Sequence, residues 1–356
     1  MFATLHGGYP GRPFERTDPA ALDRAVAEVL EAQAAAGLTL LTDGGLRTPD
    51  LLVATLGGIA GIEPTEPNEP NGHPPRVISL PAWERPGLVE SWRATAELTD
   101  MAVKARLVGP YSLARRLARG NFGRRRLTLA LAEALNHELA ALAEAGCPFV
   151  QVEEDEAVRI GPDSAERSLF REAQDRLLNG LPDATEAFHR SLAIHGGNAD
   201  TAGPATFFEA AYESYFFDLI DGPDNWRLIT RAPPERGIVC GAVDVHDPRI
   251  DDKELIVWAA SYAASGGRGY ERVGVAPAGS LAEFEPAVAR QKIERLGESA
   301  RIVEERGQVP IQAQLDPRAI DSRSAALGQW TPPEERPQRP HRPPRPGRPE
   351  RPTRRP

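Results

Sequence analysis

Short apolar, β-branched bursts alternate along most of the chain with longer segments whose apolar residues recur at helical spacing. The bursts ATLHG (3–7), LTLLTD (38–43), AVKARLVG (102–109), PFVQVEE (148–154), SLAIHG (191–196), YFFDLI (215–220), GIVCGAVDV (237–245) and YERVGVAP (270–277) predict eight strands. Between them, PAALDRAVAEVLEAQAAAG behind Asp18 as N-cap, RRLTLALAEALNHELAALAEAG, ERSLFREAQDRLLNGL, DKELIVWAASYAASGG and EPAVARQKIERLGESARIVEERG predict helices. The first, second and fourth of these close on glycine, where a helix C-cap places it. Regular β/α alternation predicts an α/β fold, a (β/α)8 TIM barrel. A doubly wound open sheet is the rival, but no Gly-x-Gly-x-x-Gly follows the first strand.

Two stretches break the rhythm. The segment 62–87, rich in Pro, Glu and Asn, predicts an insertion after the second strand that runs over one face of the barrel, with Trp83 and Trp92 free to pack on a ligand or on the rim. The barrel is assigned to 1–310 and a Pro/Arg-rich tail to 311–356. From about 331 the tail holds eight arginines, three glutamates and ten prolines but no aliphatic residue, so it is expected to be disordered with polyproline II character.

Composition narrows the function classes. The net charge is −9, and removing the basic tail makes the remainder more acidic still. A folded part of that sign is unsuited to a phosphate backbone, so nucleic acid is not an expected partner and a small molecule is. No apolar run is long enough to span a bilayer and MFATLHGGYP has no basic-then-apolar leader, which predicts a cytoplasmic protein without a membrane partner. Cys147 and Cys240 lie in apolar surroundings, which excludes a four-thiolate zinc site and makes both core residues.

In such a barrel the reacting groups sit at the C-terminal ends of the strands. Those ends carry His6 with Gly7 and Gly8, Asp43 with Gly44 and Gly45, Gly109-Pro110-Tyr111, Glu153-Glu154-Asp155, His195, Asp218 and Asp221, Asp244 and His246, and the loop 276–280. Three histidines and several carboxylates would then converge on one mouth, a set suited to metal binding or acid–base work.

The order LHGGYPGRP, LTDGGLR, LVGPYS, VQVEEDE, AIHGGN, DVHDPRID, VAPAGSL resembles the C-terminal barrel of cobalamin-independent methionine synthase over roughly residues 2–305. That superfamily also includes uroporphyrinogen decarboxylase and zinc enzymes that add coenzyme M to epoxides. The resemblance implies a single catalytic-type barrel that transfers a methyl or one-carbon group to a small substrate, with 5-methyltetrahydrofolate as donor class and homocysteine as the family acceptor. It also implies zinc, held by a His-x-Cys pair after the fifth strand, a glutamate near the sixth and a cysteine after the eighth, where it turns the substrate thiol into a thiolate. His195 matches the histidine and Asp218 the glutamate, making these two the metal candidates. The cysteine positions fall on Gly197 and Gly279, so tight zinc at the family position is not expected.

His246 matches a family histidine that delivers a proton, Glu153 stands where the fourth-strand motif has an aspartate, and Gly45 replaces the acid that grips the substrate amino group. The expected catalytic set is therefore His195, His246, Glu153 and Asp244, with Asp43, Tyr111, Glu154, Asn198 and Arg249 as substrate-binding residues. Two further readings stand beside methyl transfer: a metal-independent lyase or decarboxylase, and a non-catalytic binding protein on a degenerate barrel.

Overall fold

The computed structural model describes residues 1–11, 15, 18–63, 74–181 and 188–307. Its elements run β1 (Phe2–Ala3), α1 (Pro19–Ala35), α2 (Leu51–Leu56), β2 (Ile59–Glu63), β3 (Arg76–Trp83), α3 (Val89–Ala96), β4 (Lys104–Val108), α4 (Pro110–Arg116), α5 (Arg124–Glu144), β5 (Phe149–Glu153), α6 (Ser164–Leu178), β6 (His189–Ile194), α7 (Pro204–Phe208), β7 (Ser214–Asp218), α8 (Trp226–Ile229), β8 (Gly237–Val243), α9 (Lys253–Ala264), β9 (Val273–Pro277) and α10 (Pro286–Glu304). Asp18 caps α1 by accepting the Ala20 N–H, with proline at the first helical position, where its missing N–H costs nothing. Gly37 and Gly146 take the left-handed backbone just past α1 and α5, the stop that the sequence predicts.

Seven strands form one parallel sheet in the order β1-β9-β8-β7-β6-β5-β4. Its strands are buried almost throughout, as a parallel sheet covered on its outer face by helices requires. The two edges are linked through residues 40 and 41: Thr4 bridges Leu40, and Leu41 bridges Val103, both in parallel sense. The Leu41 N–H donates to Ala102 O, the Lys104 N–H to Leu41 O, and the Thr4 hydroxyl to Leu40 O at 2.7 Å. The predicted strand at 38–43 is thus present as this two-residue link.

The predicted excursion at 62–87 differs from expectation where it is described. The end of β2 and all of β3 pair antiparallel as a separate two-stranded sheet, and residues 64–73 lie outside the described residues, as does the tail from 308. Trp83 and Trp92 are spent on the scaffold: the Trp83 indole N–H donates to Glu138 of α5 and that of Trp92 to Val103 O. No helix among the described residues is long and apolar enough to cross a membrane.

The inward face of β4 and β5 positions the site. Successive residues of a strand point to opposite faces, so Lys104 and Arg106 share one face of β4, and Gln151 and Glu153 one face of β5. The register sets Arg106 opposite Gln151 and Val108 opposite Glu153. These four side chains bond to one another in the interior, where aliphatic layers would be the rule.

Candidate active site

A cleft of about 690 Å³ opens beside the ends of β1, β5, β6 and β9, with His6, Arg106, Glu153 and His195 among its lining and Gly7-Gly8, Gly44-Gly45 and Gly279-Ser280 along its walls. Glycines there bring bare backbone to the cavity surface. Glu153 is the hub. Its Oε1 accepts from Arg106 Nε at 2.6 Å and from the Gln151 amide at 2.8 Å, and its Oε2 lies 3.7 Å from His195 Nε2. Burial pushes the Glu153 carboxyl up, but the charge of Arg106, first among the opposing groups, outweighs it and holds it well below the ordinary carboxylate range. His195 is partly exposed to the cleft, and His6 lies edge-on beneath it with ring centroids 4.6 Å apart.

Lys104, wholly buried behind Gln151, donates to Leu5 O at 2.6 Å and to Gln151 Oε1 at 2.8 Å. Its pKa is lowered to about 7, by burial first and by Arg106 second, with Glu153 opposing.

The other sequence candidates lie elsewhere. His246 is exposed and pairs with Asp221, its Nε2 3.0 Å from both carboxylate oxygens; that hydrogen bond and charge raise its pKa. Asp244 accepts the His246 and Asp247 N–H groups, and Arg249 is bound to Asp247, so this loop forms a second cluster that does not line the cleft. Asn198 Oδ1 accepts the Asp224 N–H. Asp43 accepts the N–H groups of Gly45 and Arg47 and faces a smaller hollow beside Arg106.

Tyr111 is buried, with its hydroxyl on Glu166 at 2.6 Å. Glu154 is fully buried and accepts the Tyr111 and Ser112 N–H groups at the start of α4 and the Gln174 amide. Both serve the scaffold in this arrangement.

The residues present do not fit zinc at the position the resemblance implies. Gly197 and Gly279 offer no side-chain donor, and both Asp218 oxygens are taken by the N–H groups of Gly196, Ile220 and Asp221. Among the described residues, one group of His, Cys, Asp and Glu side chains has ligand atoms within 4.8 Å of one another: His6, Glu153 and His195. The strand ends include His6 but not Arg106, Gln151 or Lys104, which lie within β4 and β5. The available signal was AVKARLV followed by VQVE, two neighbouring strands with polar residues at period two.

A curled, parallel α/β sheet with helices on its outer face and an ionisable cleft beside its strand ends defines a barrel-like α/β fold. No protein-family profile and no curated protein sequence matches the chain. Solved structures do. A B12-independent methionine synthase from Shewanella sp. W3-18-1, in complex with selenomethionine, superposes with a TM-score of 0.68 at 16% identity over 86% of this chain and 98% of that one. A Listeria monocytogenes protein described as a vitamin-B12-independent methionine synthase gives 0.69 at 14% identity over 85% and 97%. A methyltransferase from Methanosarcina mazei gives 0.54 at 16% identity over 84% and 93%. The fold is that of methionine-synthase-like and methyltransferase barrels.

Proposed function

We propose that the chain is an enzyme of the methionine-synthase-like barrel class, on an eight-stranded barrel whose second strand is reduced to Leu40 and Leu41. In this reading it transfers a methyl or one-carbon group to a small substrate in the cleft, without a zinc–thiolate centre. The observation that carries it is His195 facing the cleft with its Nε2 3.7 Å from a Glu153 that Arg106 keeps ionised. An imidazole so placed takes a proton from one reactant and returns it to another, with the buried carboxylate beside it.

Methyl transfer from a folate nitrogen needs both events: the acceptor loses a proton as its new bond to carbon forms, and the nitrogen gains one as its bond to carbon breaks. His195 serves as that shuttle and Glu153 positions it. His246 with Asp221 lies outside the cleft and serves the loops that frame it.

The missing thiol ligands favour one second reading, a metal-independent lyase or decarboxylase in which the same His195 protonates a carbanion. The test is steady-state turnover with 5-methyltetrahydrofolate and a panel of thiol and amine acceptors, run beside a carbon dioxide release assay on small carboxylic acids. His195→Ala is expected to lower kcat by about 10²- to 10⁴-fold with the fold intact, and Glu153→Gln to lower kcat more than it raises KM. Turnover unchanged in His195→Ala overturns the assignment. Folded protein without turnover in either assay returns the chain to the binding-protein reading.

A further inference from the structure

The cleft floor contains a polar atom that the proposed proton shuttle does not use. His6 is 1% exposed, stacked on Phe216 with ring centroids 4.2 Å apart and planes 15° from parallel, and wedged against His195. Its Nδ1 lies 2.8 Å from the Gln151 side-chain nitrogen. Among the described residues its Nε2 has no hydrogen-bond partner, and the ring lines the cleft.

Which nitrogen of an imidazole carries the proton follows from the groups around it, and here they leave one answer. The Gln151 amide is fixed from two sides. Its oxygen accepts from Lys104 Nζ at 2.8 Å, and its nitrogen donates to Glu153 Oε1 at 2.8 Å. Turning the amide over would press its oxygen against a carboxylate oxygen that Arg106 keeps negative, and would aim its NH2 group at an amine already donating. Gln151 therefore donates to His6 Nδ1, so Nδ1 is the acceptor and the hydrogen sits on Nε2.

We propose that His6 is a neutral imidazole locked as the Nε2–H tautomer, and that this N–H is the cleft's fixed donor to a carbonyl or carboxylate oxygen of the bound small molecule. A neutral donor already oriented before binding stabilises charge growing on that oxygen without reorganising. The surroundings agree. Burial lowers the His6 pKa well below its usual value, with the charges of His195, Arg106 and Lys104 adding and Glu153 opposing. The tautomer also speaks against a cation held by His6, Glu153 and His195: a metal-ligating imidazole binds through a lone pair and donates its other N–H to an acceptor, whereas Nδ1 here meets a donor.

The oxygen-binding half rests on the cleft being the substrate site; the tautomer does not. Long-range proton–nitrogen correlation on the full chain labelled with ¹⁵N-histidine is expected to show His6 with a pyridine-like Nδ1 and a pyrrole-like Nε2, the signals being assigned by their loss in His6→Phe. Gln151→Glu supplies an acceptor in place of the donor and should reverse the tautomer. Titration with acetate and with acetamide should shift the Nε2 proton, and affinity should fall about tenfold in His6→Phe, whose ring keeps the stack on Phe216.

A Nδ1–H tautomer or an imidazolium at pH 7.5 in the wild type overturns the proposal, as does zinc retained at one equivalent after dialysis and lost in His6→Phe. The expected tautomer with no response to either probe overturns the oxygen-binding half. Failure of every turnover assay with these results intact overturns the proposed reaction and leaves this assignment standing.

Discussion

Lys104 shows how one buried charge shapes the interior. A neutral amine keeps two hydrogens, enough for both of its acceptors, Leu5 O and Gln151 Oε1, so losing the charge leaves no bond unmade. Its folded pKa of about 7 lies below the ordinary 10.5. Between those values the unfolded chain binds a proton that the folded chain does not, so stability rises with pH across that window. Comparing the wild type with Lys104→Met by urea unfolding at pH 7 to 10 should therefore show the difference moving in favour of the wild type, by up to about 1.4 kcal/mol per pH unit. A difference that stays flat or moves the other way would mean that Lys104 remains charged. This residue also marks where sequence reading stops. In AVKARLV, charged residues alternate with apolar ones, which is the ordinary signature of a solvent-facing strand side. Only the curl of the sheet turns that side inward. His195 and Glu153 were legible because they end strands, and strand ends in such a fold are readable without knowing which way a side chain faces.

Among the elements, α4 depends on a carboxylate from another one. Its first backbone N–H groups, at Tyr111 and Ser112, donate to Glu154 just past β5, at 3.1 and 2.7 Å, so the helix start and the strand end are fastened together. Glu154→Leu would leave those buried donors without partners and should lower the stability by roughly 2–4 kcal/mol, read as a lower denaturant midpoint at unchanged slope. Gly109 explains the close approach: a Cβ there would stand 2.3 Å from the Glu154 carboxyl, so Gly109→Ala should destabilise the same junction. The seven strands of the sheet and the link at Leu40 and Leu41 were readable from apolar bursts, and α1, α5, α6, α9 and α10 from their period and caps. The pairing of β2 with β3 was not, because the Pro- and Glu-rich stretch that separates them reads as loop, and register is set by a partner strand rather than by the segment itself.

For the molecule as a whole, the two cysteines report on cooperativity. Cys147 and Cys240 are buried, and burial pushes each thiol up to about 12, while the reactive species is the thiolate. The native protein should leave a disulfide reagent such as dithionitrobenzoate unconsumed at pH 8, and both thiols should become reactive together across the unfolding transition. Reaction of one before the other would show that the fold opens in parts. The loops beside the cleft limit which side chains the scaffold accepts. Gly197 has φ +153°, a backbone that side chains rarely adopt, and a Cβ on Gly279 would come within 3.2 Å of Val245. A cysteine at Gly197 would be strained by that backbone, and one at Gly279 would need the Val245 side chain to give by a few tenths of an ångström. Installing a thiolate pair here would therefore take more than two side-chain changes: the backbone at Gly197 would have to move and Val245 give way before either sulfur could be presented to a cation.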